Sequence, residues 1–249
     1  MLSPLRLAAA AMIGASLSCC AAVIDRAATV APNGSLLRPY DNAWLFSARD
    51  PAGLVHPQGI WSDHVQYVTI DGRRLMERVQ GMTYVTGLSL LSINVFDPAS
   101  MRPVSSVQHR PDGSSISRKF SGTHVETTRV SRTGETPTID NIDLPAETYD
   151  FYGGMWGLLL ATMPIAQGQS GSFPSIDEDG DVPRTATYQV LGREWVSAGA
   201  HGKIRAWRIS ADRPEKYRMT FWLTQAPPYV IGLELVNAGD PRVLRFDMI

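Results

Sequence analysis

The stretch YDFYGGMWGLLLATMP, residues 149–164, is strongly apolar and interrupts a sequence that otherwise has the pattern of β-strands. Its uncharged part, residues 151–165, is shorter than the roughly 18 to 20 residues that a transmembrane helix needs. The stretch therefore predicts a buried helix rather than a membrane span. Because a helix that is apolar on nearly all sides must be covered on nearly all sides, we expect a curved sheet to wrap it.

The bounds of this helix follow from its flanking residues. Asp143 stands before Leu144 and Pro145, which is typical of an N-cap followed by proline in the first turn. We therefore predict a helix that begins at Leu144 and ends near Met163. Glycines in its interior predict a break or a close backbone contact near Gly153.

Short runs rich in valine, isoleucine, threonine and aromatic residues lie on both sides of the predicted helix. The pairs Asp71-Gly72 and Asp112-Gly113 separate extended runs, as in β-hairpins. In YRMTFWLT, residues 217–224, one face carries only Tyr217, Met219, Phe221 and Leu223. This pattern predicts a mostly β (α+β) fold, a curved antiparallel sheet or incomplete barrel wrapped around one apolar helix.

The N-terminal segment has the composition of an export signal. A basic residue, Arg6, precedes an apolar run that is too short to cross a bilayer, and small residues follow it. We expect residues 1–22 to be a signal peptide and the protein to reach the periplasm. Residues 23–42, rich in turn-forming residues, are predicted to be a flexible tether, and residues 43–249 a single β-rich half-barrel domain.

Both cysteines, Cys19 and Cys20, lie at the end of this signal. If cleavage follows Ala22, the mature chain contains no cysteine and no disulfide can hold the fold together. If cleavage precedes Cys20, the preceding residues resemble a bacterial lipobox, and Cys20 would carry a lipid that anchors the protein to the outer membrane. The sequence leaves both alternatives open.

Charge and motifs exclude several functional classes. The formal net charge is −1, with acidic and basic residues interspersed, so neither a nucleic-acid surface nor a polybasic membrane patch is expected. The acidic stretch DEDGD, residues 177–181, fails the calcium-loop spacing and predicts a solvated turn. No catalytic, metal or cofactor motif is present, which favours a protein that is not an enzyme. The weak catalytic candidates are His64 and the adjacent Asp63.

Aromatic rings and flexible thioethers are concentrated in the predicted helix, and such side chains suit irregular apolar cavities. We predict that an apolar ligand cavity is lined by Tyr152, Met155, Trp156, Leu159, Leu160, Met163 and Trp222. The alternative interpretation is that these residues are packed core.

A series of segments from about Ala43 to the C-terminus carries a family resemblance. SLLSINVFDPASMRPV (89–104), IDLPAETYDFYGGMWGLLLATMPIAQGQ (142–169) and FWLTQAPPYVIGLEL (221–235) resemble segments found in this order in an uncharacterised exported bacterial family of the domain-of-unknown-function type. That family is in turn distantly similar to the outer-membrane lipoprotein carriers, whose incomplete barrels hold acyl chains. The resemblance implies a curved antiparallel half-barrel with residues 149–164 as its plug or lid, and it implies no catalytic residue.

Three functional hypotheses follow. The leading one is a non-enzymatic envelope protein that binds an apolar ligand or a lipid-bearing partner in the half-barrel cavity. The second is a hydrolase or lyase that acts on an envelope glycan or lipid through His64 and Asp63. The third is a scaffolding protein that pairs with another envelope protein through a sheet edge.

Overall fold

The computed structural model describes residues 31–150, 155–176, 182–213 and 216–249. The predicted signal peptide, Cys20, the first part of the tether, Tyr152, the side chain of Met155 and the acidic stretch 177–181 lie outside these described residues.

The described residues form one antiparallel sheet of fourteen strands and one short helix. The strands are β1 (Tyr40–Arg49), β2 (Val55–Ile70), β3 (Arg73–Tyr84), β4 (Ser89–Phe96), β5 (Pro103–His109), β6 (Ser115–Ser121), β7 (His124–Val130), β8 (Thr138–Asp143), β9 (Ser170–Ile176), β10 (Pro183–Ser197), β11 (Lys203–Arg213), β12 (Tyr217–Leu223), β13 (Val230–Asn237) and β14 (Val243–Met248). The helix α1 spans Met155–Ala161. Short 3-10 turns occur at Gly34–Leu36 and Gly199–His201.

Consecutive strands are neighbours in the sheet, whose order runs from β8 back to β1, across to β14, and back again to β9. The first and last strands thus pair at its centre, with Trp44 opposite Met248. Strands β8 and β9 form the two ends, so the sheet is not closed into a barrel. The predicted fold class, a mostly β protein with a curved antiparallel sheet, is confirmed.

The two predicted hairpins are present. Asp71 and Gly72 join β2 to β3 with φ angles of 50° and 73°, which are the left-handed values that a two-residue type I′ turn requires. Gly113, at φ 87°, lies in the turn between β5 and β6. The Asp-Gly pairs of the sequence therefore correctly predicted the position of both hairpin turns.

The predicted helix start at Leu144 is wrong. Asp143 is the last residue of β8 rather than an N-cap, and the Leu144 amide donates to the Thr123 carbonyl over 2.9 Å. Further along, the Tyr149 amide donates to the Pro174 carbonyl over 3.0 Å. Residues 144–150 therefore connect the two ends of the sheet, because backbone bonds to distant strands replace those of the expected first helical turns.

The helix α1 packs on β12 and β13. A Cβ atom added to Gly157 would lie 2.8 Å from Val230 Cγ2 and 3.1 Å from a ring carbon of Phe221, so the absent side chain permits the close approach. Gly153, near which a break or a close backbone contact was predicted, lies outside the described residues.

The folded part begins before residue 43. Leu37 is 2% exposed, and the Tyr229 hydroxyl accepts a hydrogen bond from the Arg38 amide and donates one to the Leu36 carbonyl. Strand β1 itself begins at Tyr40. The last residues of the predicted tether therefore belong to the sheet and its core, because apolar and tyrosine contacts fix them there.

Candidate functional site

We define the inner face as the face of the sheet that contacts α1. Phe221 contacts α1, and it stands in one cross-strand row with Leu233, Phe246 and Phe46. The Phe46 and Phe246 rings stack at 4.6 Å, and the row of aromatic contacts continues to Trp61 on β2. Asp63 is two residues from Trp61 and therefore shares this face.

The inner face of β9–β14 and β1 is apolar. Four of the residues predicted to line a cavity, Trp156, Leu159, Leu160 and Met163, are at most 1% exposed and belong to one apolar cluster. The Trp156 ring meets the ring of Phe173 edge-on at 5.2 Å. The structure therefore brings these four residues together as packed core.

Trp222 lies on the opposite, outer face. Its neighbour Phe221 faces α1, and adjacent strand residues point to opposite sides of a sheet. The Trp222 indole nitrogen donates to the Glu194 carboxylate, and the Arg245 guanidinium lies 5.4 Å from the indole ring. Trp222 thus points away from the α1 residues with which it was grouped, although it is buried and belongs to the same apolar cluster.

The two catalytic candidates also point to opposite faces. Asp63 is buried on the inner face, where Arg78 donates to it through Nε over 2.8 Å and through Nη2 over 2.6 Å. The Tyr40 hydroxyl donates to the same carboxylate over 2.8 Å. Burial, followed by the negative charge of Asp63, raises the pKa of Tyr40 well above its ordinary value. The carboxylate of Asp63 is therefore occupied by a structural network.

His64 is on the outer face, where its ring Nδ1 contacts the Asp41 carboxylate of β1. That hydrogen bond raises the pKa of His64 above its usual value. Because His64 and Asp63 are consecutive residues of β2, the strand geometry keeps their side chains apart. The structure does not bring them together as an acid and base.

The inner face of β3–β7 carries buried polar side chains among apolar ones, which the sequence did not predict. Two cross-strand rows of polar residues, which we call the polar rows, cross these strands. The first contains Arg78, Asn94, Ser106, Arg118 and Thr127, and the second contains Gln80, Ser92 and Gln108. All eight residues are buried. With neighbouring strands about 4.8 Å apart, the five-strand row extends for about 19 Å.

In the polar rows the polar side chains are buried and the apolar side chains of the same strands are more exposed, which is the reverse of the usual arrangement. On β4, Ser92 and Asn94 are buried whereas Leu91 is 36% exposed. The outer row opposite consists of Val79, Ile93 and Val107, all only half-buried. Residues that break the inside–outside rule are expected at functional sites, because packing alone does not favour them.

Several groups of the polar rows have no hydrogen-bond partner among the described residues. They are both amide atoms of Gln80, Nε2 of Gln108, Oγ1 of Thr127 and Nη1 of Arg78. The remaining amide atom of Gln108, Oε1, accepts from Arg110 Nε over 3.0 Å. A buried polar group without a partner costs about 1 to 3 kcal/mol, so the rows offer hydrogen bonds that a bound molecule could complete.

A pocket of about 340 Å³ lies where the second polar row ends. Ile116 pairs with Gln108 on one side and with Arg129 on the other, and both Ile116 and Arg129 line the pocket. Arg110, Val130, Glu135 and several serine and threonine residues complete its walls. Arg129 donates to Asp140 over 2.7 Å. Cationic, hydroxyl and apolar groups and one carboxylate therefore line the space next to the end of the second row.

Within the described ranges, no three histidine, cysteine, aspartate or glutamate side chains lie together as a metal site would require. Across the same residues, no helix combines the length and the apolar character needed to cross a membrane.

Fold and site together define a class: a curved, open antiparallel sheet around one short helix, with an inner face divided into an apolar and a polar part. The chain belongs to the DUF3108 family, described as proteins of unknown function, whose model matches residues 65–247. This confirms the predicted kind of family, and the match covers both polar rows and α1. No curated protein and no solved structure matches the chain.

Proposed function

We propose that this chain is a non-enzymatic protein of the cell envelope that binds an amphipathic, lipid-bearing ligand inside the curved sheet. The observation that carries the proposal is the division of the inner face. An apolar cluster around α1 adjoins buried polar rows whose hydrogen-bonding groups are incompletely used. A molecule with an apolar part and a polar part matches both surfaces.

In this proposal the ligand's apolar part lies against the cluster around α1. Thioether and aromatic side chains such as Met163 and Trp156 adapt to irregular apolar shapes. Polar contacts join the chain beyond α1 to the rest of the fold, among them the Asn33 amide to the Thr162 carbonyl at 2.9 Å and Gln225 Nε2 to the Met163 carbonyl at 3.3 Å. The helix then acts as the plug that the resemblance to lipoprotein carriers implies.

The proposal places the protein in the periplasm, with attachment to the outer membrane if Cys20 is lipidated. The enzymatic alternative receives no support from geometry, because Asp63 is held by Arg78 and Tyr40 while His64 faces outward.

One observation favours the scaffolding alternative. Strand β8 is an end strand of the sheet, and its Ile139 is 62% exposed. An end strand of this kind offers backbone groups to a strand of another protein. If edge pairing is the main function, a change within the polar rows leaves partner binding intact, whereas proline substituted at Ile139 abolishes it.

Native mass spectrometry of the protein, purified gently from its own host's envelope, tests the proposal. We expect a non-covalent lipid that organic extraction removes. A bare polypeptide in repeated preparations, with no mass change after extraction, would contradict ligand binding.

A fluorescence titration with a short-chain phospholipid then locates the ligand. We expect the change in tryptophan emission to persist in Trp222→Phe, because Trp222 lies on the outer face, and to shrink in Trp156→Phe, because Trp156 lies in the cluster around α1. The opposite result would place the ligand on the outer face of the sheet.

A further inference from the structure

We propose that the polar rows bind an anionic, oxygen-rich group, a phosphate or a carboxylate, at the polar end of the ligand. This inference deepens the proposed function and rests on it.

Donors outnumber acceptors among the unused groups. Arg78 Nη1, Gln80 Nε2 and Gln108 Nε2 can only donate, whereas Gln80 Oε1 can only accept, and the Thr127 hydroxyl can do either. A complementary ligand group must therefore present mainly acceptors. Ionised phosphate and carboxylate groups present nothing else, and hydrogen bonds to charged groups are the stronger kind.

The donors lie close enough to converge on one small group. Gln80 and Gln108 both pair with Ser92 of the strand between them, which places them about 9.6 Å apart at two strand spacings. Arg78 is two residues from Gln80 on β3, about 7 Å along the strand. Long amide and guanidinium side chains bridge such distances to a single phosphate-sized group.

Charge favours the same class of ligand. The polar rows contain two guanidinium groups, Arg78 and Arg118, against one buried carboxylate, that of Asp63, which stands opposite Gln80 on β2. The carboxylate nearest to Arg78, that of Asp63, is held by Nε and Nη2, which leaves Nη1 for a ligand. A buried arginine oriented by one carboxylate is suited to hold a second anion in a fixed direction.

The pocket of about 340 Å³ at the end of the second row provides adjoining space. Two residues of its wall contact the row, because Ile116 pairs with Gln108 and Arg110 donates to Gln108 Oε1, so that Gln108 Nε2 is left to donate. The pocket wall carries Arg110 and Arg129 together with one carboxylate, that of Glu135.

Calorimetric titration tests the inference with three probes: dihexanoyl phosphatidic acid below its micelle concentration, dihexanoylglycerol as the neutral lipid with the same chains, and inorganic phosphate. We expect phosphatidic acid to bind at least about tenfold more tightly than dihexanoylglycerol, because only the phosphate uses the donors. Binding of inorganic phosphate alone would show that the anion suffices without the lipid chains.

The matched variants are Gln80→Met with Gln108→Met, which removes the donors at nearly constant volume, and Gln189→Met on the exposed face of β10 as a control. The double variant should weaken binding of phosphatidic acid about tenfold or more and leave dihexanoylglycerol unaffected, whereas the control should change neither. Thermal unfolding confirms that each variant is folded.

The outcomes separate this inference from the proposed function. Equal affinity for the two lipids, unchanged in the double variant, overturns the inference and leaves lipid binding intact. Absence of binding to either lipid, together with a bare polypeptide from the host, overturns the proposed function. Variant-sensitive binding of inorganic phosphate supports the anion site in either case.

Discussion

Two parts of one sheet bury opposite kinds of side chain on the inner face, apolar in one part and polar in the other. On β12–β14 and β1, a cross-strand row consists of Phe221, Leu233, Phe246 and Phe46. On β3–β5, the equivalent row consists of Gln80, Ser92 and Gln108. Backbone pairing is the same in both parts, so the strands alone do not dictate what the interior contains. We infer that the apolar part provides stability and the polar part provides recognition.

The largest expected effect is in the apolar part. Phe221→Ala removes a fully buried ring beside Gly157 and leaves a cavity, so we expect the free energy of unfolding to fall by about 3 to 5 kcal/mol. Urea denaturation measures this loss. The control Val236→Ala, on the same hairpin but 38% exposed, should change stability by less than about 1 kcal/mol. Similar losses in both variants would mean that α1 does not depend on this packing.

The buried ion pair of the polar part comes next. Arg78→Met leaves the Asp63 carboxylate buried without its partner, and we expect a loss of about 3 to 5 kcal/mol. The double variant Asp63→Leu with Arg78→Met removes both charges and should recover most of that loss in urea denaturation. If the double variant is no more stable than Arg78→Met, the pair contributes packing or hydrogen bonds beyond its charges, for instance through Tyr40.

A substitution that is expected to raise the free energy of unfolding distinguishes the two parts most directly. Gln80→Met replaces a buried amide without partners by an apolar side chain of similar size, and we expect the free energy of unfolding to rise by about 1 kcal/mol. The reverse change in the apolar part, Leu159→Gln, should lower it, because it buries an unpaired amide. Thermal melting of both variants measures the two changes in stability. A lower melting temperature for Gln80→Met would mean that the amide is already satisfied, for instance by bound water.

The smallest effect concerns a surface ion pair outside both parts. Arg242 donates to Asp240 in the turn between β13 and β14, and this hydrogen bond lowers the pKa of Asp240 to about 2 from its ordinary 3.8. A lowered pKa stabilises the folded protein above the ordinary value, and that contribution disappears as the pH falls from about 4 toward 2. Asp240→Asn should show a slightly flatter pH dependence of stability in this window. An identical pH dependence would mean that solvent screens the pair completely.

The sequence predicted the strands and turns because local chemistry specifies them. The alternation of Tyr217, Met219, Phe221 and Leu223 correctly gave the buried face of β12, since these residues are apolar and their neighbours are mixed. Asp71-Gly72 likewise located a hairpin from two residues.

The sequence could not predict the polar rows, because a period of two does not say which face lies inside. In β4 the apolar Leu91 and Ile93 alternate with Ser92 and Asn94, and the ordinary rule would bury the apolar pair. The partnership of Asp63 with Arg78 likewise depends on strand register, which composition does not encode. The helix start failed for the same reason, since the bonds that hold residues 144–150 come from distant strands.

The pairing of β1 with β14 has a mechanical consequence. Trp44, near the start of β1, lies opposite Met248, near the end of β14. A force that pulls these two strand ends apart loads their hydrogen bonds one pair at a time, as in opening a zipper, rather than all together in shear. In optical tweezers the first rupture should therefore occur at low force and open the sheet along this seam, within its apolar part, where the rings of Phe46 and Phe246 stack.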